Sequence, residues 1–142
     1  MDQQGTYSNN IKIMLCPYCK KEAKWCENKE IYGRNYGLSY MCYYCKPCDA
    51  YVGCHENSRD PLGSMANQRL RDLRVECHEM FDKLWKDGKM TRKQAYIWMA
   101  RNMRLPEERA HIGELRESGC KWLIKILRRK IQRDNEYKRD HE

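Results

Sequence analysis

Apolar positions along the 142-residue chain change their period near residue 60. Up to Gly53 they come in short bursts: Ile11-Lys12-Ile13-Met14-Leu15, Ala23-Lys24-Trp25, Ser39-Tyr40-Met41 and Ala50-Tyr51-Val52. Gly33, Gly37 and Pro47 break these runs, and short runs between turn residues predict strands. After Asp60-Pro61-Leu62-Gly63 the period becomes helical. Leu70, Leu73, Cys77, Phe81 and Leu84 share one face until Asp87-Gly88, with Ser64 as the expected N-cap. A second helix is expected from Thr91, because its hydroxyl and Gln94 three residues later form a capping-box pattern. It runs through Ala95, Tyr96, Trp98, Met99 and Met103, and Pro106 closes the segment. From Ser118, Cys120, Leu123, Leu127 and Ile131 again fall at helical spacing, with Trp122 and Ile126 beside them, and the end is expected to fray.

This pattern, with C-x-x-C spacings at Cys16/Cys19 and Cys45/Cys48, predicts an α+β protein: a zinc-ribbon-like β module over residues 11–60, followed by a small helical bundle over residues 61–137 packed against it in one compact domain. A hydrophobic content of 41% against 34% charged residues leaves a thin core, which a bound metal or a partner would help to stabilise. No apolar run approaches the roughly 20 residues that span a bilayer, and residues 1–10 lack the pattern of an export signal. The expectation is a cytoplasmic protein without a membrane partner.

In that reducing setting nine cysteines point to metal ligation rather than disulfides. Zinc takes four thiolate or imidazole ligands in a tetrahedron, and a C-x-x-C turn aims two sulfurs at one point. Cys16-Pro17-Tyr18-Cys19 is one such turn. The second is ambiguous, because Cys42-Tyr43-Tyr44-Cys45 and Cys45-Lys46-Pro47-Cys48 share Cys45. The residues flanking Cys45/Cys48 mirror those around the first turn, which favours Cys16, Cys19, Cys45 and Cys48 as ligands of a structural Zn2+, with Cys42 as the rival. Isolated Cys26, Cys77 and Cys120 read as small buried hydrophobes.

The net charge of +8 favours polyanions. Its sharpest concentration lies after Ser118, where Lys121, Lys125, Arg128, Arg129, Lys130 and Arg133 form the candidate nucleic-acid or partner-binding set. Tyr18, Tyr32, Tyr36, Tyr40, Tyr43, Tyr44 and Tyr51, interleaved with Lys20, Lys21, Lys24 and Arg34, suit either base stacking or cross-strand packing. His55, His78 and His111 would support hydrolysis only if they converged with a carboxylate such as Asp60, Asp72 or Asp82. The chain has no Gly-rich phosphate loop, H-E-x-x-H or G-x-S-x-G.

Several unlike motifs occur in order: Cys16-Pro17-Tyr18-Cys19, Ile31-Tyr32-Gly33-Arg34, Cys45 with Cys48-Asp49-Ala50-Tyr51-Val52-Gly53-Cys54-His55, Pro61-Leu62-Gly63, Phe81-Asp82 with Leu84-Trp85, Arg92 with Ala95-Tyr96 and Trp98, and His111-Ile112-Gly113. Over roughly residues 14–125, most of a domain of ordinary size, the chain resembles the zinc-finger-containing domain family of unknown function found in bacteria and their phages. The resemblance implies that Cys16, Cys19, Cys45 and Cys48 ligate the metal and that His55, His78 and His111 belong to the shared pattern. It implies no activity. The additional Cys42 and the basic tail beyond Leu127 depart from the family's simplest form.

Three functions therefore stand as expectations. The first is a zinc-binding module that engages nucleic acid or a nucleoprotein complex in a regulatory role. The second is a phage-encoded inhibitor or modulator of a host nucleic-acid enzyme, and the third a zinc-dependent hydrolase using the histidines.

Overall fold

A computed structural model describes residues 13–141. The chain divides into two compact units, Met1–Gln68 and Arg69–Glu142.

The first unit is built on a three-stranded antiparallel sheet in the order β1 (Lys24–Glu27), β2 (Met41–Cys45), β3 (Ala50–Gly53). Strand parity sends Trp25, Tyr43 and Val52, which pair across the sheet, to one face. There Tyr43, Ala50, Cys54, Met65, Ala23, Cys16 and Cys45 form the core, with Trp25 and Val52 packed against it. Tyr43 is 1% exposed, and its hydroxyl donates to the Arg59 carbonyl at 2.7 Å, so its one polar atom is satisfied. The opposite face carries Cys26 against Cys42. It also carries an edge-to-face row in which Tyr44 meets Tyr51, Tyr51 meets Tyr32 of the one-turn helix α1 (Lys29–Tyr32), and Tyr32 meets Tyr36.

Three boundaries differ from the sequence expectation. The strand expected at Ser39–Met41 lies at Met41–Cys45, because Tyr43 and Cys45 face the core there. Of the run starting at Ile11, Ile11 and Lys12 lie outside the described residues, and Leu15 forms a single antiparallel bridge with Glu22. Ser64 does not stand next to the helix start: Ala66 exchanges both backbone hydrogen bonds with Tyr51, at 3.1 and 3.2 Å, and Met65 and Ala66 are buried. That pairing holds the chain extended, and α2 begins only at Gln68.

The second unit contains α2 (Gln68–Lys86) beyond its first residue, α3 (Arg92–Met103), α4 (Glu117–Asp140) and two short 3-10 turns, Glu107–Arg109 and Ile112–Glu114. Each long helix buries one stripe: Leu70, Cys77, Phe81 and Leu84 in α2, Ala95, Met99 and Ala100 in α3, and Cys120, Leu123, Ile124, Ile126 and Leu127 in α4. The Thr91 side chain accepts from the Gln94 backbone at 3.0 Å while the Gln94 side chain accepts from the Thr91 backbone at 2.9 Å, a complete capping box. The helix stops at Met103, before Pro106, because Arg104 turns left-handed at φ 58. The charged end of α4 stays helical as far as Asp140. Arg69 to Glu117, Cys77 to Cys120 and Glu76 to Arg128 place α2 and α4 side by side and running the same way. No helix among the described residues is long and apolar enough to cross a membrane.

Candidate metal centre and basic face

Each cysteine pair sits at the tip of a hairpin. In the first, the Leu15–Glu22 bridge and the 2.7 Å bond from Ala23 N to Met14 O bring the chain back on itself. The turn between them is closed by Cys16 N to Lys21 O at 2.8 Å and Lys20 N to Cys16 O at 2.9 Å. In the second, the β2–β3 ladder ends at Cys45 opposite Ala50, and Asp49 N donates to Lys46 O at 3.0 Å. The residue after each second cysteine is left-handed, Lys20 at φ 68 and Asp49 at φ 52. Both turns thus reverse the chain with the same backbone device. Glycine is the easier occupant of such positions, so the backbone here is held by its surroundings.

The two tips bring Cys16, Cys19, Cys45 and Cys48 together, with all four sulfurs within 4.8 Å of one another. Cys19 Sγ and Cys45 Sγ are 3.7 Å apart. A tetrahedral shell with Zn–S bonds of about 2.3 Å has edges of about 3.8 Å, whereas a disulfide needs about 2.05 Å. All nine cysteines are free. The backbone amide of Lys21 donates to the Cys19 sulfur and, with burial opposing it and the three neighbouring thiols assisting, brings its pKa down to about 7. Burial, and after it hydrogen bonding with the neighbouring Cys45, Cys16 and Cys19 thiols, pushes Cys48 up to about 12, and burial raises Cys45; four thiolates packed this closely would also repel one another. A divalent soft cation removes that conflict, so the donor set fits zinc in geometry and in charge.

Cys42 is not in this group. Three residues before Cys45 on a strand, it points to the other face, opposite Cys26, and at 2% exposure burial, then the Cys26 thiol, pushes its pKa up to about 12. Among the described residues the four cysteines are the one group of three or more cysteine, histidine or acidic side chains disposed to hold a metal. His55 is exposed and belongs to the first unit, where its backbone opens the turn to Asp60. His78 and His111 belong to the second, His78 on the exposed side of α2 and His111 between the two 3-10 turns, its ring 6.1 Å from that of Tyr96.

The basic residues of α4 separate by helical phase. Lys121, Lys125, Arg129 and Arg133 follow at four-residue steps, Arg128 lies beside them, and all five are exposed. Lys121 pairs with Glu117 at 3.0 Å and Arg128 with Glu76 at 3.2 Å. Lys125, Arg129 and Arg133 have no ion-pair partner among the described residues. Lys130 stands apart, one turn after buried Ile126, half-buried and paired to Asp134 at 3.0 Å. Trp122, expected beside the apolar stripe, lies inside the exposed arc. Its spacing of three and seven residues from Lys125 and Arg129 is the signal that places it on the cationic side.

The paired hairpin tips define the class, a ribbon-like module with a four-cysteine centre suited to zinc. The chain belongs to the zinc-finger-containing domain family, whose sequence profile matches residues 12–130 and whose function is unknown. No curated protein matches the chain. No solved structure matches it either.

Proposed function

We propose that this protein is a regulatory nucleic-acid-binding module in which Zn2+ on Cys16, Cys19, Cys45 and Cys48 shapes the first unit, and the exposed face of α4 contacts phosphates. Four thiolates fill zinc's tetrahedron and leave no position for water or substrate, so this centre organises the chain rather than reacting. The observation that carries the binding reading is the placement of Lys121, Lys125, Arg128, Arg129 and Arg133 on one solvent-facing arc, opposite buried Cys120, Leu123 and Leu127. From Lys121 to Arg133 that arc extends about 18 Å at 1.5 Å per residue. The field agrees: residues 69–142 hold 20 of the 28 Lys and Arg and 13 of the 20 acidic residues, a balance of +7 out of +8.

The test is a salt titration of binding to a labelled oligonucleotide. With three to five phosphates neutralised, log affinity for duplex falls against log salt with a slope of roughly −3 to −5, and the combined reversal K125E/R129E/R133E flattens that slope by about 3. Affinity indifferent to both salt and reversal refutes the reading. A second reading, modulation of a host nucleic-acid enzyme by protein contact, draws on a different surface. Leu38 is 86% exposed and Tyr36 and Tyr40 about half, on a loop whose backbone at Tyr36 is clamped twice by the Asn28 amide at 3.0 Å. A loop anchored at Tyr36 and displaying apolar side chains suits a protein partner. Stoichiometric capture of a host protein after nuclease treatment supports that reading, and its absence removes it. The hydrolytic reading has no comparable support, since no metal-holding group among the described residues contains a histidine.

A further inference from the structure

Of the four tryptophans, Trp25, Trp85 and Trp98 are partly buried, and Trp25 lies 3.6 Å beneath the Arg59 guanidinium. Trp122 alone is exposed, at 45%. The core of α4 is complete without it, because Cys120, Leu123, Ile124, Ile126 and Leu127 are all buried at other phases of the helix. A helical side chain leans back over the preceding turn, and for Trp122 that turn offers Ser118, with a short side chain, and Gly119, with none, so little bulk stands beside the indole there. On its other side Lys125 Nζ sits 5.9 Å from the ring centre. Lys121 precedes it, and Arg129 and Arg133 continue the same arc.

We propose that Trp122 is a stacking platform for an unpaired base, so that the partner of this face is single-stranded nucleic acid rather than duplex. The inference rests on the reading of α4 as a phosphate-binding face and adds what that reading lacks, a means of telling strands apart. Cations alone attract any polyanion. A flat indole framed by cations adds a contact that only a base free of its own stack can accept, and every base has a π face, so the preference is for strandedness and not for sequence. In duplex DNA the bases are stacked on each other, and a convex helix surface reaches only the backbone.

The experiment compares three probes of equal length, about ten nucleotides, by fluorescence anisotropy on the full chain with zinc: oligo-dT, a duplex, and a strand of abasic sites. Trp122→Ala is expected to weaken oligo-dT binding by about 5- to 150-fold, the range for loss of one base–aromatic stack. Duplex and abasic binding stay within about twofold. Trp122→Phe restores most of the loss, and circular dichroism melting shows both variants folded, as an exposed position allows. An equal loss on all three probes, or no loss on oligo-dT, overturns the stacking inference while leaving the phosphate-binding reading intact. Wild-type protein that binds none of the three, or binding untouched by K125E/R129E/R133E, overturns both.

Discussion

Cys42 and Cys48 are each three residues from Cys45, and the fold assigns them opposite roles that a matched pair of substitutions separates. In Cys48→Ala one of four sulfurs around the centre is lost. Structural zinc in finger peptides binds with an apparent free energy of about 10–16 kcal/mol, so each of four comparable ligands accounts for roughly 2.5–4 kcal/mol, or about 60- to 800-fold in affinity. A water entering the vacated position returns part of this, which sets the expectation toward the lower end. In Cys42→Ala the sulfur removed is buried at 2% exposure on the other face of β2, so the loss is that of one methyl-sized group from a packed site, about 0.5–1.5 kcal/mol of stability. Zinc stoichiometry by elemental analysis, and affinity by competition with a chromophoric chelator, read the first effect, and thermal melting with saturating zinc reads the second. Cys48→Ala should bind zinc weakly and melt normally only when zinc is in excess. Cys42→Ala should hold one zinc at wild-type affinity and melt slightly early. A Cys42→Ala protein that loses its zinc, or a Cys48→Ala protein that keeps wild-type affinity, refutes the assignment.

Two further outcomes concern the helical unit. Thr91→Ala removes the acceptor for the Gln94 amide and should lower stability by about 1 kcal/mol in denaturant unfolding, with Thr91→Ser recovering it; an unchanged midpoint would mean the box contributes nothing. Glu117 accepts from Arg69 at 2.7 Å and from Lys121 at 3.0 Å, and these bonds hold its carboxyl below the ordinary 4.5. A folded pKa below the unfolded one stabilises fully above 4.5 and is lost as pH falls through the lower value. The melting gap between wild type and Glu117→Gln should therefore be present at neutral pH and close in acid, and a gap that persists in acid contradicts the pairing.

How much of this was legible in the chain follows from the distance over which each feature is decided. Cys16 and Cys19 form a local turn, and so do Thr91 and Gln94; both read directly because their partners are three residues away. Cys45 presented two local options, and what separates them is strand parity, which sends Cys42 to one face and Cys45 to the other. Parity becomes visible only once β2 is seen to start at Met41 and to pair Cys42 with Cys26. Ser64 had the chemistry of an N-cap, but the non-local pairing of Ala66 with Tyr51 kept the chain extended past it. On α4 the charges could be counted from the sequence, whereas the separation of Lys130 from the other five, and the placement of Trp122 among them, required the apolar stripe to fix the phase of the helix.

Chemistry and stability are linked differently in the two units. In the first unit, Cys16 and Cys45 are core residues and half of the sulfur cluster at once, so the metal and the packing of Tyr43, Ala50 and Met65 are one cooperative structure. With 8 basic against 7 acidic residues, residues 1–68 contribute almost nothing to the net charge. In the second unit the buried residues among those described are all hydrophobic, and residues 69–142 hold +7 of the net charge of +8. A large one-sign charge destabilises a compact unit by self-repulsion, and α4 carries part of that cost along an arc where Lys125, Arg129 and Arg133 have no ion-pair partner among the described residues. A binding polyanion relieves it, and the relief should appear as a rise in the melting temperature of residues 69–142 that fades with added salt. Zinc removal should instead loosen the sheet of residues 13–68. The metal and the polyanion thus act on different units through different forces, one through covalent-like coordination that salt does not screen and the other through a field that it does.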